Sequence, residues 1–328
     1  MSLQVDAQVV TDFTWDYVQS RPALKKLYEK GKTSQWNATT DIDWTPEVNF
    51  GEEQPEVELP GFDFDDSFFD QLGEAGRNMM RWEFQSWMVS QFMHGEQGAL
   101  VATARLVETV PDIDSKYYAA NQVADEARHV EAYSRYLNEK LKHNYEISAP
   151  LEALLCDIMS EKRWDITYLG MQIMVEGLAL AAFGMANVIF LDPVIKEITA
   201  KVMRDEARHV AFGVLSLQGL YDDMDAAELA DREEFIIDAA TLMRDRFLLD
   251  EVWERVGIDR EEGREFARTN PLMMIFRQML FAKIVPNLNK LGLITPRVHA
   301  HFEDLGIIHQ LAAPDSVTEL DPSLCQES

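Results

Sequence analysis

The hexapeptide Asp-Glu-Ala-Arg-His-Val occurs twice, at Asp125–Val130 and Asp205–Val210, with an offset of 80 residues. In a helix, residues three apart share a face, so Glu126 with His129, and Glu206 with His209, each aim a carboxylate and an imidazole at one point. The same offset joins Glu96 to Glu176, and each stands thirty residues before the Glu of its own hexapeptide. Glu96 is the only Asp, Glu, Lys or Arg between Phe84 and Ala104, and Glu176 is the one formal charge from Tyr168 to Leu191. An ionised carboxylate in such surroundings is costly unless something compensates it, and a bound metal ion does so directly. The alternative is a repeated salt bridge, with Arg128 and Arg208 neutralising Glu126 and Glu206. It explains neither the histidines nor the two isolated glutamates.

Two halves related by an approximate twofold axis bring four carboxylates and two imidazoles together. One Glu from each of two helices, with a Glu-x-x-His from each of the other two, is the ligand set of ferritin-like di-iron and di-manganese proteins. The expected ligands are Glu96, Glu126, His129, Glu176, Glu206 and His209, holding two Fe ions, with Mn or a mixed Mn/Fe pair equally acceptable to these donors. Asp125 and Asp205 are expected to cross over, Asp205 to His129 and Asp125 to His209, fixing each ring's tautomer. Arg128 and Arg208, three residues after each Asp, would hold those carboxylates, the alternative being ion pairs on a solvated face. A substrate pocket beside the metals is expected to draw on Gln97, Leu100, Met174, Leu180 and Phe183, one or two helical steps from the ligands, and on Phe212. Otherwise these residues are core.

Positioning these residues takes long helices. Helical patterning begins at Asp66 and gives four segments, 66–109, 112–144, 151–191 and 193–221, followed by 226–256, 260–268 and 271–290. Pro111, Pro150 and Leu191-Asp192-Pro193 punctuate them, since proline lacks the amide donor and fixes its own torsion. Short turns between helices of this length imply antiparallel packing. The expected fold is all-α: a four-helix bundle over residues 66–221, a lead-in over 1–65 that wraps it, and accessory helices with a tail over 222–328. The lead-in holds one helical candidate, Trp15 to Lys30, then a Pro-, Asp-, Glu- and Trp-rich stretch without periodicity, Ile42 to Asp66. The run Pro271–Pro286, rich in Met and Phe, packs on the bundle or forms the surface of a homodimer.

The 328 residues carry a formal charge of -27, which repels a phosphate backbone and disfavours nucleic acid and anionic membranes as partners. Two cysteines without metal-like or redox-like neighbours, and a start without a basic-then-apolar leader, fit the cytoplasm. Tyr168 to Leu191 has the length of a membrane span but contains Glu176, Gln172 and Asn187, and an all-round apolar helix is equally what the centre of a helical protein requires.

From about Arg81 to Leu220 the chain resembles the ferritin-like di-iron oxygenases and oxidases. The nearest likeness is to the hydroxylase alpha subunits of bacterial multicomponent monooxygenases, carried by Gly95-Glu96-Gln97-Gly98-Ala99-Leu100-Val101-Ala102-Thr103 and the two Asp-Glu-Ala-Arg-His motifs. The resemblance implies a centre that activates dioxygen and oxidises a small organic substrate, fed by an external electron donor such as a reductase or ferredoxin. The chain departs from those subunits in its shorter length, in its equal half-spacings, and in carrying Leu180 where the best-known members have a threonine. Ribonucleotide reductase small subunits are also similar. In them a tyrosine at the offset of Tyr133 carries a radical, whereas here a packed tyrosine is the alternative. A ferroxidase or iron store is the third reading.

Overall fold

A computed structural model describes residues 4–53, 67–309 and 311–326. Among the described residues there is no β-strand, and the chain is an all-α, ferritin-like bundle with further helices at both ends. Helix α1 (Pro22–Thr33) starts where Pro22 supplies a preset torsion and no orphan amide. It therefore begins later than the helix expected from Trp15, and residues 4–21 are not helical. The non-periodic stretch expected over 42–66 lies outside the described residues from 54 onward.

The first bundle helix, α2 (Gly73–Thr109), follows a 3-10 turn, and α3 (Ile113–Arg135) starts where Asp112 accepts the amide of Ser115 at 2.9 Å. A wider π turn, Tyr136–Leu141, ends α3 at Lys142, whose φ of 52° stops the helix. The single helix expected over 151–191 is broken. Helix α4 (Ala149–Ser160) stops at Glu161, which is extended and accepts the amides of Lys162 at 2.7 Å and Arg163 at 2.9 Å. This carboxylate satisfies amide donors at a helix start, which makes the break stable in a stretch of good helix formers.

The third bundle helix then runs through α5 (Trp164–Tyr168), a π stretch (Leu169–Val175) and α6 (Glu176–Ile189). This run, Trp164–Ile189, is long and apolar enough to cross a membrane, but 83% of its most apolar window is buried in the bundle. The fourth, α7 (Pro193–Leu217), is capped by Asp192, which accepts the amide of Ile195. Helices α2 and α3 pack together, as do α6 and α7, and α3 meets α7 across the centre. Gly213 lets α7 approach the π stretch, since a Cβ there would stand 2.5 Å from Cβ of Gln172.

Beyond the bundle, α8 (Ala226–Asp245) opens on a reciprocal cap between Asp225 and Glu228. The helix expected over 226–256 breaks at Leu249, whose φ of 59° is left-handed, after a 3-10 turn at Arg246–Leu248 and before α9 (Asp250–Val256). Helix α10 (Arg260–Thr269) is followed by α11 (Pro271–Leu280) and α12 (Ile284–Lys290), which divide the segment expected over 271–290. In the run from Pro271 to Pro286, Phe276, Leu280, Phe281 and Ile284 are buried while Met274, Ile275 and Met279 are exposed. Two short helices absent from the sequence reading, α13 (Pro296–Asp304) and α14 (Ser316–Leu320), start on side-chain caps from Thr295 and Asp315.

Candidate metal centre

All six chemistry-bearing residues of the two halves meet, buried, in the middle of the bundle. Glu96 comes from α2, Glu126 and His129 from α3, Glu176 from the first turn of α6, and Glu206 and His209 from α7. The π stretch ends immediately before Glu176, where its wider turn resets which residues face inward. His129 Nδ1 lies 3.1 Å from Glu96, 3.3 Å from Glu126 and 3.2 Å from Glu206. His209 Nδ1 lies 3.0 Å from Glu126 and 3.2 Å from Glu206. Glu126 thus turns one oxygen to each imidazole, and Oε1 of Glu206 is equidistant from both rings. Two donor groups result, Glu96 with Glu126, His129 and Glu206, and Glu126 with Glu176 and His209, the donor atoms of each lying within 4.8 Å of one another.

The outer nitrogens are crossed between halves. His129 Nε2 lies 3.2 Å from Asp205, and His209 Nε2 lies 3.2 Å from Asp125. Arg128 donates to Asp125 at 2.5 Å and to Asp205 at 3.4 Å, while Arg208 donates to Asp205 and lies 3.9 Å from Asp125. These four residues form a closed ring behind the imidazoles, largely shielded from solvent.

Three residues absent from the sequence reading complete this shell. Gln122 donates one amide to both Glu126 (2.9 Å) and Glu176 (2.8 Å). Its place four residues before Glu126, on the same helical face, is a signal that spacing could have given. Gln35 donates to Asp125 at 2.8 Å and accepts from Arg128, and the Trp36 indole donates to Asp205 at 2.7 Å. Nothing local marks these two, because they reach the centre only when the lead-in folds over α3 and α7.

The donor set fits a pair of divalent cations. Six buried carboxylates (Glu96, Asp125, Glu126, Glu176, Asp205 and Glu206) face two guanidinium groups, Arg128 and Arg208, a formal excess of four negative charges, which two such cations would neutralise. Oε2 of Glu126, Glu176 and Glu206 is buried without a hydrogen bond, leaving lone pairs for coordination. In the metal-free chain, burial and then the charge of Glu206 push Glu96 well above the usual carboxylate range, and burial with Glu206 and Glu126 does the same to Glu176. Burial also acts on Glu126, but the imidazoles of His209 and His129 outweigh it and hold that carboxyl well down. Both imidazoles are pushed well up, against burial, by the carboxylates around them. Cation binding at these groups would therefore release protons.

The expected pocket residues do not gather at one place. Glu96 faces inward, and its neighbour Gln97, about 100° around the helix, is exposed. Leu100 is half-buried, Met174 is core, and Phe212 packs on Tyr118 and Tyr168 at ring distances of 4.3 and 5.1 Å. Leu180 lines a separate outer groove of about 760 Å³ with Met185, Val188 and Met203. Of these, only Phe183 borders the small cavity, of about 30 Å³, that touches Glu96, Glu176 and Glu206; its walls also include Phe92, Arg246 and Phe247, which no motif in the sequence marks. Tyr133 is fully buried against Phe92 and Phe183, its hydroxyl has only Thr199 in reach, and burial raises its pKa.

No family model and no curated protein matches the chain. Solved structures do. An R2-like ligand-binding oxidase variant with an anaerobically reconstituted Mn/Fe cofactor is 20% identical over 83% of this chain and 93% of its own, with a TM-score of 0.49. A second variant of an R2-like ligand-binding oxidase, with an aerobically reconstituted Mn/Fe cofactor, is 19% identical over 84% of this chain and 94% of its own, with a TM-score of 0.46.

Proposed function

We propose that this chain is a dioxygen-dependent oxidase or monooxygenase that holds two iron ions, or an Mn/Fe pair, and acts on a small organic substrate. The observation that carries the reading is a buried excess of four negative charges among six convergent carboxylate and imidazole donors, with a cavity against three of the carboxylates. A pair of redox-active metals in such a site supplies the reduction of dioxygen and the oxidation of substrate. The protein's part is positional. Asp205 and Asp125 fix the outer ring nitrogens so that both Nδ1 atoms face the cluster, and Gln122 holds Glu126 and Glu176 in one orientation. Phe92, Phe183 and Phe247 line the cavity with apolar surface, which keeps bulk water from the carboxylates.

The chain carries no flavin or nucleotide motif, so electrons come from an external donor, a reductase or ferredoxin. We assign it to the cytoplasm and to a homodimer formed through the exposed Met274, Ile275 and Met279. The kinship to multicomponent monooxygenase subunits rests on the motifs around Glu96, Glu126 and Glu206. Anaerobic loading with Fe(II), followed by oxygen-electrode measurement with a chemical reductant, tests the function. Two irons per chain with reductant-dependent oxygen uptake are expected. Uptake of many irons per chain would establish storage, and two bound irons inert to dioxygen would refute an oxidase.

A further inference from the structure

The small cavity beside the cluster has a wall that the metal ligands do not explain. Arg246 lines it and is only 8% exposed, and its side chain makes no hydrogen bond or ion pair among the described residues: its Nε is buried and unsatisfied, and its guanidinium lies over the Phe247 ring at 5.3 Å. Every other arginine near the centre has an acidic partner: Arg128 with Asp125, Arg208 with Asp205, Arg232 with Asp165. The charge of Glu251 reaches Arg246 through space, but the two form no ion pair, and the Glu251 carboxylate accepts instead from the Trp87 indole at 3.2 Å. A buried guanidinium with no anion in contact is costly for a fold to hold, and a ligand that brings an anionic group to it offsets that cost.

The backbone is also spent on this placement. Arg246 and Phe247 sit in the 3-10 turn that interrupts the α8–α9 direction, and the turn closes on Leu249 in the left-handed region, a conformation that disfavours a leucine. A continuous helix would place these two side chains differently. With the break, both line the cavity that Glu96 and Glu176 also border.

We propose that Arg246 is the anion-binding residue of the substrate site, and that the substrate is a short-chain carboxylate whose carboxyl group meets Arg246 while its carbon end faces the cluster. The proposal rests on the function given above and specifies its substrate class. At about 30 Å³ the cavity has room for roughly two water-sized groups, which suits a carboxylate with one or two carbons. Phe92, Phe183 and Phe247 give the carbon end an apolar wall. A guanidinium suits a carboxylate because its planar donors match both oxygens.

Calorimetric titration of acetate into Zn(II)-loaded protein tests this without any oxidation, so it is separable from failure of the oxidase reading. Acetate is expected to bind and isosteric neutral acetamide is not. Arg246→Met should weaken acetate about 10- to 100-fold, the loss of a charged hydrogen-bond partner, with Arg246→Lys intermediate. The same Arg246→Met should melt at or above the parent temperature, because it removes an unpaired buried charge. Acetate affinity unchanged in Arg246→Met, or absence of acetate binding to the parent, would overturn the proposal. So would a variant that loses acetate only together with a lowered melting temperature, since that marks a structural arginine.

Discussion

Replacing Asp205 by Asn isolates the shell from the ligands. Asp205 accepts from His129 Nε2 at 3.2 Å, from the Trp36 indole at 2.7 Å and from Arg128 at 3.4 Å on one oxygen, and from Arg208 on the other. An asparagine can satisfy only one side. If its oxygen faces His129 and Trp36, its amide meets the Arg208 donor, and if it flips, the imidazole loses its acceptor and its fixed tautomer. Either arrangement loosens His129 as a ligand, for which an affinity loss of about 10- to 100-fold is expected, roughly 1.4 to 2.7 kcal/mol. Removing one partner of a buried ion pair also costs stability, at the lower end of the usual range, about 3 kcal/mol, because Arg208 retains Asp125 at 3.9 Å. Chelator competition on Mn(II)-loaded protein reads the first effect and chemical denaturation the second. One of the two ions should weaken while the other, held through His209 and Asp125, keeps its affinity. A folded Asp205→Asn protein that binds both ions as tightly as the parent would refute the claim that the aspartates position the imidazoles.

Metal loading should be linked to protons. Both imidazoles, and Glu96 and Glu176, have folded-state pKa values raised above their ordinary ones, so their contribution to metal-free stability is fully present below the unfolded values and is lost as pH rises through the folded ones. The melting-temperature gap between metal-loaded and metal-free protein should therefore widen as pH rises above about 6.5, and a constant gap in scanning calorimetry would contradict it. Tyr133→Phe removes a buried hydroxyl with only a weakly placed partner, Thr199, so stability should change by no more than about 1 kcal/mol with two metals still bound. A tyrosyl resonance signal in oxygen-exposed parent that this variant abolishes would instead establish the radical-generating alternative. Gly213→Ala places a Cβ 2.5 Å from Cβ of Gln172 and should cost about 1 to 3 kcal/mol in denaturant titrations.

The metal centre was legible because coordination fixes both residue type and spacing, and the duplication wrote that pattern twice. What escaped the sequence lies where local preference is overruled. Glu161-Lys162-Arg163 are good helix formers, and only the folded carboxylate of Glu161, taking two amides, shows why the helix stops there. Leu249 gives no turn signal, yet it carries the left-handed kink that aims Arg246 and Phe247. Gln35 and Trp36 reach Asp125 and Asp205 from far along the chain, beyond any periodicity. The repeat breaks down beside the small cavity. Phe92 and Tyr133 of the first half meet at a tilt, ring centres 5.8 Å apart, and 80 residues later their counterparts are Gln172 and Gly213, packed so closely that no further side-chain atom fits. Gln122, which orients two ligands, has Val202 as its counterpart. Where the halves agree, the residues are the metal donors and their supports. Where they differ, one side is filled by the close contact of Gly213 with the Gln172 side chain and the other sets Phe92 against the small cavity, an asymmetry that, under the proposed function, gives a twofold metal site a single face for substrate.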